Sequence, residues 1–215
     1  MSPRTVALIG GTGHLGLGLA TRFAHAGIDV IIGSRTTPKA VEAATRVDRD
    51  RVRGASNPEA ARAAEVIILT VPYAAHSATV QSLADLAEGK VVVDATVPAA
   101  SSRPLRFERP PGGSAAEETQ RALASARVVA AFHTVSANML ADLARPLHGD
   151  VLLCGDDADA KATLEALVRA IPMRPVDMGA LAAAQVLEPL AALVLGLNRR
   201  YRRHDVGITV AGLDH

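Results

Sequence analysis

The opening of the chain, Thr5-Val-Ala-Leu-Ile-Gly-Gly-Thr-Gly-His-Leu-Gly-Leu-Gly-Leu-Ala20, constrains its fold more than any other stretch. The apolar run from Val6 to Ile9 has the length and composition of a buried strand, and it passes directly into Gly11-x-Gly13-x-x-Gly16. Leu15, Leu19 and Phe23 then recur at helical spacing. A strand, a glycine turn and a helix in that order make the start of a dinucleotide-binding unit. Gly11 is expected to turn the chain off the strand, Gly13 to let a pyrophosphate approach the backbone, and Gly16 to let the helix pack closely. Thr12, His14 and Leu15 share that turn, where free N–H groups and the positive end of the helix favour a diphosphate.

A second strand is expected over residues 28–33, ending in Ser34-Arg35. That end lies about 20 residues beyond the glycine turn, where this class of site chooses its cofactor. An NAD site would place Asp or Glu there to accept from the ribose hydroxyls. This chain instead offers Ser34, Arg35 and, one helical turn on, Lys39. A hydroxyl and two cations suit a dianionic 2′-phosphate, which an acid would repel. The cofactor expected is NADP(H).

Strand and helix patterns keep alternating along the chain. Further strands are expected at residues 51–55, 65–71, 90–96, 127–131, 151–154 and 174–176. Helices are expected after Lys39, from Asn57-Pro58-Glu59, over 115–126, over 158–170 and along the apolar run 181–197. Gly10, Ser34, Thr70, Thr96 and His133 would then share the carboxyl edge of one sheet, the edge outside which such folds bind ligands. Thr70, Val71, Pro72, Val97, Pro98 and Val135 follow those strand ends and join the candidate cofactor contacts. Residues 103–114, rich in Pro and Gly, are expected to form a long loop. The fold class is therefore α/β, with a doubly wound, mostly parallel Rossmann-type sheet. Residues 1–180 are expected to form the NADP-binding domain and 181–215 a helical extension that makes a dimer contact. The final stretch from Arg199 is expected to fold over the sheet edge or a partner.

Composition narrows the function. A net charge of +1 and an aromatic share of 2% with no Trp argue against nucleic-acid binding. The run 181–197 is interrupted by Gln185, Glu188 and Pro189, so a buried or interface helix is expected rather than a membrane span. A single cysteine, Cys154, precludes an intrachain disulfide, and Met1-Ser-Pro-Arg4 carries no secretory signal; both features suit the cytoplasm. Cys154 lies in an apolar strand and is expected in the core, while Asp156 and Asp157 suit a helix start better than a metal site. No metal is expected.

His133, at the end of its strand, is the candidate catalytic group; it could donate to a substrate carbonyl or hold a loop. His76, near Tyr73, is a weaker candidate. No Tyr-Lys or comparable proton relay is evident, which suggests hydride exchange between two bound cofactors, a reaction that depends on positioning.

Several strings resemble the NADPH-dependent reductases of the deazaflavin coenzyme F-420. They are Ala7-Leu-Ile-Gly-Gly-Thr-Gly-His-Leu-Gly-Leu-Gly18, Ile32-Gly-Ser-Arg35 with Lys39, Leu69-Thr-Val-Pro-Tyr73, Val97-Pro98, Phe132-His-Thr134 and Cys154-Gly-Asp-Asp157. The resemblance runs in order from Val6 to about Ile208. It implies that the glycine loop holds the NADP pyrophosphate and that Thr12, Ser34, Arg35 and Lys39 meet the 2′-phosphate. It also implies that Pro72, Val97, Pro98, His133 and Val135 surround the nicotinamide and deazaflavin, that hydride passes reversibly between stacked rings, and that the protein is a homodimer. Tyr73 stands where that family is expected to carry Trp, and Ser136 where Pro commonly follows the His-Thr string. The residues leave two other functions open: an NADP-dependent reductase of a small imine or carbonyl, with His133 as acid, and a non-enzymatic NADP(H) sensor.

Overall fold

The computed structural model describes residues 5–47, 50–102 and 105–213. The first strand, β1 (Thr5–Ile9), is apolar from Val6 onward because both of its faces are covered. Val6 and Leu8 point into one hydrophobic cluster, whereas Ala7 and Ile9 point into the other. Side chains alternate along a strand, so a continuous apolar run is what a two-sided core requires.

Helix α1 (His14–His25) returns antiparallel to β1 and delivers the chain to β2 (Asp29–Ser34). Next come α2 (Thr37–Thr45), β3 (Val52–Ser56), α3 (Asn57–Ala63), β4 (Val66–Leu69) and α4 (Tyr73–Gln81). A short 3-10 turn (Ala84–Leu86) leads to β5 (Val91–Asp94). The chain then runs through β6 (Ala99–Ser102), β7 (Leu105–Phe107), α5 (Ala115–Ala122), β8 (Arg127–Ala131) and α6 (Ala137–Ala141). The remaining elements are β9 (Asp150–Gly155), α7 (Ala158–Ala170), β10 (Arg174–Asp177), a 3-10 turn (Leu181–Ala183) and α8 (Ala184–Arg200).

The main sheet has the order β10-β9-β8-β5-β4-β1-β2-β3. From β1 the chain winds outward to β3, then returns to β4 and winds the other way, so the topological switch lies between β1 and β4. That switch point is where doubly wound sheets bind ligands. Strands β1 to β5 and β8 run parallel, while β9 is antiparallel to β8 and β10 follows β9. The mostly parallel, doubly wound sheet expected from the sequence is present.

Two local expectations change. Residues 103–114 are not one loop from end to end: β6 and β7 pair as an antiparallel hairpin, and Arg103 and Pro104 lie outside the described residues. Strands of four and three residues are too short to leave a periodic signal among Pro and Gly. The left-handed turn off β1 falls at Gly10 (φ +71°), one residue before Gly11. The tail after α8 folds over its own sheet: the Asp150 N–H donates to the Ile208 carbonyl (2.6 Å), and the Val210 N–H donates to the Asp150 carboxylate (2.7 Å).

Arg22 joins α1 to the segment after β8. Its buried guanidinium donates to the carbonyls of Leu140 and Met139 (both 2.9 Å), Asp142 (2.5 Å) and Arg145 (3.1 Å) at the end of α6. Unsatisfied carbonyls at a helix end favour a cation, and several charge-assisted bonds converge on this one. Arg22→Met is expected to lower folding stability by about 3 kcal/mol in urea titration, since four buried or half-buried carbonyls lose their donor. A change below about 0.5 kcal/mol would show that the carbonyls find water instead.

Candidate active site

The glycine turn has a clear division of labour. A Cβ on Gly11 would lie 2.6 Å from the Leu8 carbonyl oxygen, and one on Gly16 would lie 2.5 Å from the Gly11 Cα. These two glycines are therefore packing residues, which seat the start of α1 on the end of β1. A Cβ on Gly13 would meet nothing within 4 Å, so that face of the turn is open. Thr12, Gly13 and His14 are exposed at the N-terminus of α1, whereas Leu15 leans against the core.

A cleft of about 670 Å³ runs along the carboxyl edge at the switch point. Thr12 and Gly13 line it together with Ser34, Arg35 and Lys39 from the end of β2, and Thr70, Val71, Pro72 and Val97 from the ends of β4 and β5. No acid lines it. Arg35 and Lys39 are exposed and form no ion pair with a described residue. An open glycine turn at a helix N-terminus, with two uncommitted cations nearby, fits a phosphorylated dinucleotide.

A second cleft, of about 590 Å³, adjoins the first. Val97 lines both. The other walls of the second cleft include His14, His133, Thr134 and Val135 on one side and Ala191, Val194 and Leu195 of α8 on the other. His14 thus faces this cleft rather than the dinucleotide cleft. Pro98 is buried, its carbonyl accepting from the Glu108 N–H (3.1 Å), and it lines neither cleft.

His133 is presented by a strained turn, because the preceding residue, buried Phe132, has φ +69°. A bulky residue in that region is uncommon, and such strain persists only where packing enforces it. Among the described residues, neither ring nitrogen of His133 has a hydrogen-bond partner, nor does the hydroxyl of buried Thr96. Burial pushes the His133 pKa down to about 4, against the opposing pull of the Asp94 carboxylate and of the Thr96 backbone, which lies close to the ring but outside hydrogen-bond geometry. At neutral pH the ring is an uncharged imidazole with one N–H donor and one acceptor.

Asp94 lies at the end of β5 and is completely buried. Burial alone would raise its pKa, but His76 Nε2 (2.9 Å), the Thr119 hydroxyl (2.6 Å) and the Thr96 N–H (2.8 Å) together hold it below the usual carboxylate range. The hub ties α4, α5 and the Thr96–Val97 turn together, and His76 serves it. Tyr73 stacks on His76 and donates to Glu118 (3.1 Å). Ser136 caps α6 by accepting from the Met139 N–H (3.3 Å), and it also donates to the His204 carbonyl (2.8 Å).

The remaining candidates have structural partners. Cys154 is buried, and burial pushes its thiol up to about 12. Asp157 caps α7 through the Ala160 N–H (2.7 Å), and Asp156 accepts from the Leu181 N–H (2.9 Å). Among the described residues, no group of three or more His, Cys, Asp or Glu is placed to hold a metal.

The sequence expectations missed Asn57 and Thr36 as lining residues and Asp94 as the hub. The signal for Asp94 was an acid closing the run Val91-Val92-Val93, a position that burial tolerates only with partners. For Asn57, only its place at a helix start was legible.

The sheet, its switch point and the glycine turn define a Rossmann-type α/β protein of the dinucleotide-binding class. Residues 5–98 match a family model described as NADP oxidoreductase, coenzyme F420-dependent. The chain is 43% identical to the F420-dependent NADP reductase of Methanothermobacter marburgensis, over 97% of this chain and 98% of that one. It is 36% identical to the enzyme of that name from Methanocaldococcus jannaschii, over 97% and 99%. It also overlays a crystal structure from Arthrobacter sp. FB24, of a protein proposed to be an F420-dependent NADP reductase. That overlay has a TM-score of 0.85 at 24% identity and covers 98% of this chain and 100% of the other. The chain belongs to the F420-dependent NADP reductase family.

The buried neutral state of His133 has a linked cost in acid. The unfolded histidine takes up a proton below its ordinary pKa near 6.5, whereas the native one stays neutral down to about 4. Stability from this residue is complete above pH 6.5 and falls as pH drops from there towards 4, by about 3 kcal/mol in all. His133→Asn is expected to remove that component, so its stability should decline less than wild type between pH 7 and 4 in thermal melts. Coincident pH profiles would show that the ring is not held neutral.

Proposed function

We propose that this protein transfers hydride reversibly between NADP(H) and coenzyme F-420 across the wall shared by its two clefts. The carrying observation is Val97, which lines both the 670 Å³ dinucleotide cleft and the 590 Å³ cleft beside it. In this reading Gly11, Gly13 and Gly16 shape the pyrophosphate turn, with Thr12, His14 and Leu15 at the start of α1. Ser34, Arg35 and Lys39 hold the 2′-phosphate. Thr70, Val71, Pro72 and Val97 guide the rest of the dinucleotide toward His133, and Val135 faces the deazaflavin, with Pro98 supporting the turn behind it.

When both are bound, the cofactors themselves supply the chemistry: a hydride leaves the dihydronicotinamide, and the deazaflavin gains it with a proton from solvent. The chain's part is to position. His133, uncharged and unpartnered, donates or accepts a hydrogen bond from a ligand carbonyl or amide and leaves the proton inventory unchanged. Asp94 fixes the Thr96–Val97 turn against which the rings lie.

We also propose that the protein is cytoplasmic and works as a homodimer through α8. The segment Leu181–Arg200 is long and apolar enough to cross a membrane, but Ala184 and Leu187 join the core and Glu188 is fully buried. Its outward side carries exposed Val186 (61%), Leu193 (53%) and Tyr201 (64%), with half-buried Leu190 and Leu197 between them. That stripe has the spacing of a helix that packs on another.

Mixing wild-type protein with NADPH and oxidised F-420 is expected to bleach the deazaflavin's visible absorbance, much more slowly with NADH. Arg35→Ala should weaken NADPH by tenfold or more and leave NADH nearly unchanged (about 1.4 kcal/mol per decade). No bleaching, or equal weakening of both nucleotides, would refute the acceptor or the phosphate clamp respectively. For the dimer, sedimentation at micromolar concentration should show two copies in wild type and one in Val186→Glu/Leu193→Glu. A monomeric wild type would overturn that contact.

A further inference from the structure

The end of β3 meets the dinucleotide cleft beside the phosphate clamp. In the parallel pairing of β2 with β3, Ser34 stands opposite Ser56, so Arg35 and Asn57 leave the sheet edge side by side. Asn57 is the first residue of α3 and only 7% exposed, yet it lines the cleft with Ser34, Arg35, Thr36 and Lys39. Its Oδ1 accepts from the Gly10 N–H (3.3 Å). An N–H requires an acceptor, so this bond fixes which way the amide points and turns Nδ2 away from Gly10. Nδ2 donates to no described residue. Gly33 leaves room for this arrangement, since a Cβ there would lie 2.8 Å from Asn57 Oδ1. The nearest acid in sequence, Glu59, is tied back to the Ser56 N–H (3.0 Å) and hydroxyl (2.6 Å) and does not line the cleft.

We propose that Asn57 is a cofactor-selecting residue of this site, its Oδ1 locking the glycine turn while its Nδ2 donates to the 2′-phosphate on the adenosine ribose. This rests on the NADP(H) reading above and extends the clamp to a second strand. The buried amide suits a phosphate because it is a neutral donor that keeps its orientation when the cleft is empty. Exposed side chains such as Arg35 and Lys39 have to be ordered on binding. A carboxylate at the same place would preserve the bond to Gly10 and oppose the phosphate.

The test compares binding of NADPH and NADH to wild type, Asn57→Asp and Asn57→Ala by nucleotide fluorescence titration, with melting temperature as the measure of folding. Asn57→Asp keeps an acceptor for Gly10, so it is expected to weaken NADPH by about tenfold or more and NADH by less than about threefold. Asn57→Ala loses both functions, so both nucleotides weaken, NADPH more than NADH. If one variant fails to fold, the NADPH-to-NADH preference of the other decides. A preference equal to wild type in the variants that fold would overturn the role of Asn57 and leave the NADP(H) reading standing. A wild type that binds NADPH no better than NADH would overturn both.

Discussion

The site depends on one close contact between backbones, where Gly16 at the first turn of α1 rests on Gly11 at the end of β1 with no room for a Cβ. This contact directs the helix N-terminus at the carboxyl edge, and the rest of the dinucleotide cleft is arranged around it. The Gly11 N–H is shared between the carbonyls of Leu8 and Gly33 (both 3.1 Å), so the turn is fastened to β1 and β2 at once. Asn57 then holds Gly10 from the start of α3, and the Thr70 N–H beyond β4 reaches the Ile9 carbonyl (3.0 Å). The turn is thus braced from β1, β2, α3 and the end of β4. A loop fixed from so many sides loses little freedom when a ligand arrives.

The other side of the crevice is governed by charge. Asp94 is an ionised group with no access to water, and three donors offset its burial. His133 shares its surroundings but makes no hydrogen bond of normal geometry to a described residue, and it follows a strained Phe132. Among the described residues the other buried side-chain polar atoms have partners, so the orphaned atoms are most economically explained by a ligand that completes them. The same burial also keeps the His133 ring neutral, an uncharged donor and acceptor rather than an imidazolium acid.

Local pattern was enough to expose the sheet, its carboxyl edge and the basic end of β2 that lines the first cleft. Apolar runs locate β1, β2, β4, β5 and β8, and Ser34-Arg35 with Lys39 stand out as a cationic strand end without acids. What stayed hidden depends on pairings between residues far apart in sequence. Asp94 meets Thr119, Asn57 meets Gly10, and Glu188 meets Ala115 and Ala116, separations of 25, 47 and 73 or 72 positions. No periodicity reports such contacts, because each residue's role comes from its partner. The β6–β7 hairpin was hidden for a different reason, being too short to carry a pattern.

The C-terminal segment follows the same logic and changes how the second cleft should be regarded. Glu188 receives the Ala115 and Ala116 N–H groups (both 3.1 Å), so α8 caps α5, and burial nonetheless pushes its carboxyl up to about 8. Beyond α8, the Val206 N–H donates to Asn198 Oδ1 (3.1 Å), and Ser136 reaches back to the His204 carbonyl. A proline after the His-Thr string could not make that last bond, since the hydroxyl is what joins the His133 turn to the tail. The second cleft is therefore completed only when α8 docks against the His133 turn. Its shape depends on the packing of α8, whereas every residue lining the first cleft lies at or before Val97. Changes in α8 should consequently alter the second cleft before they alter the first.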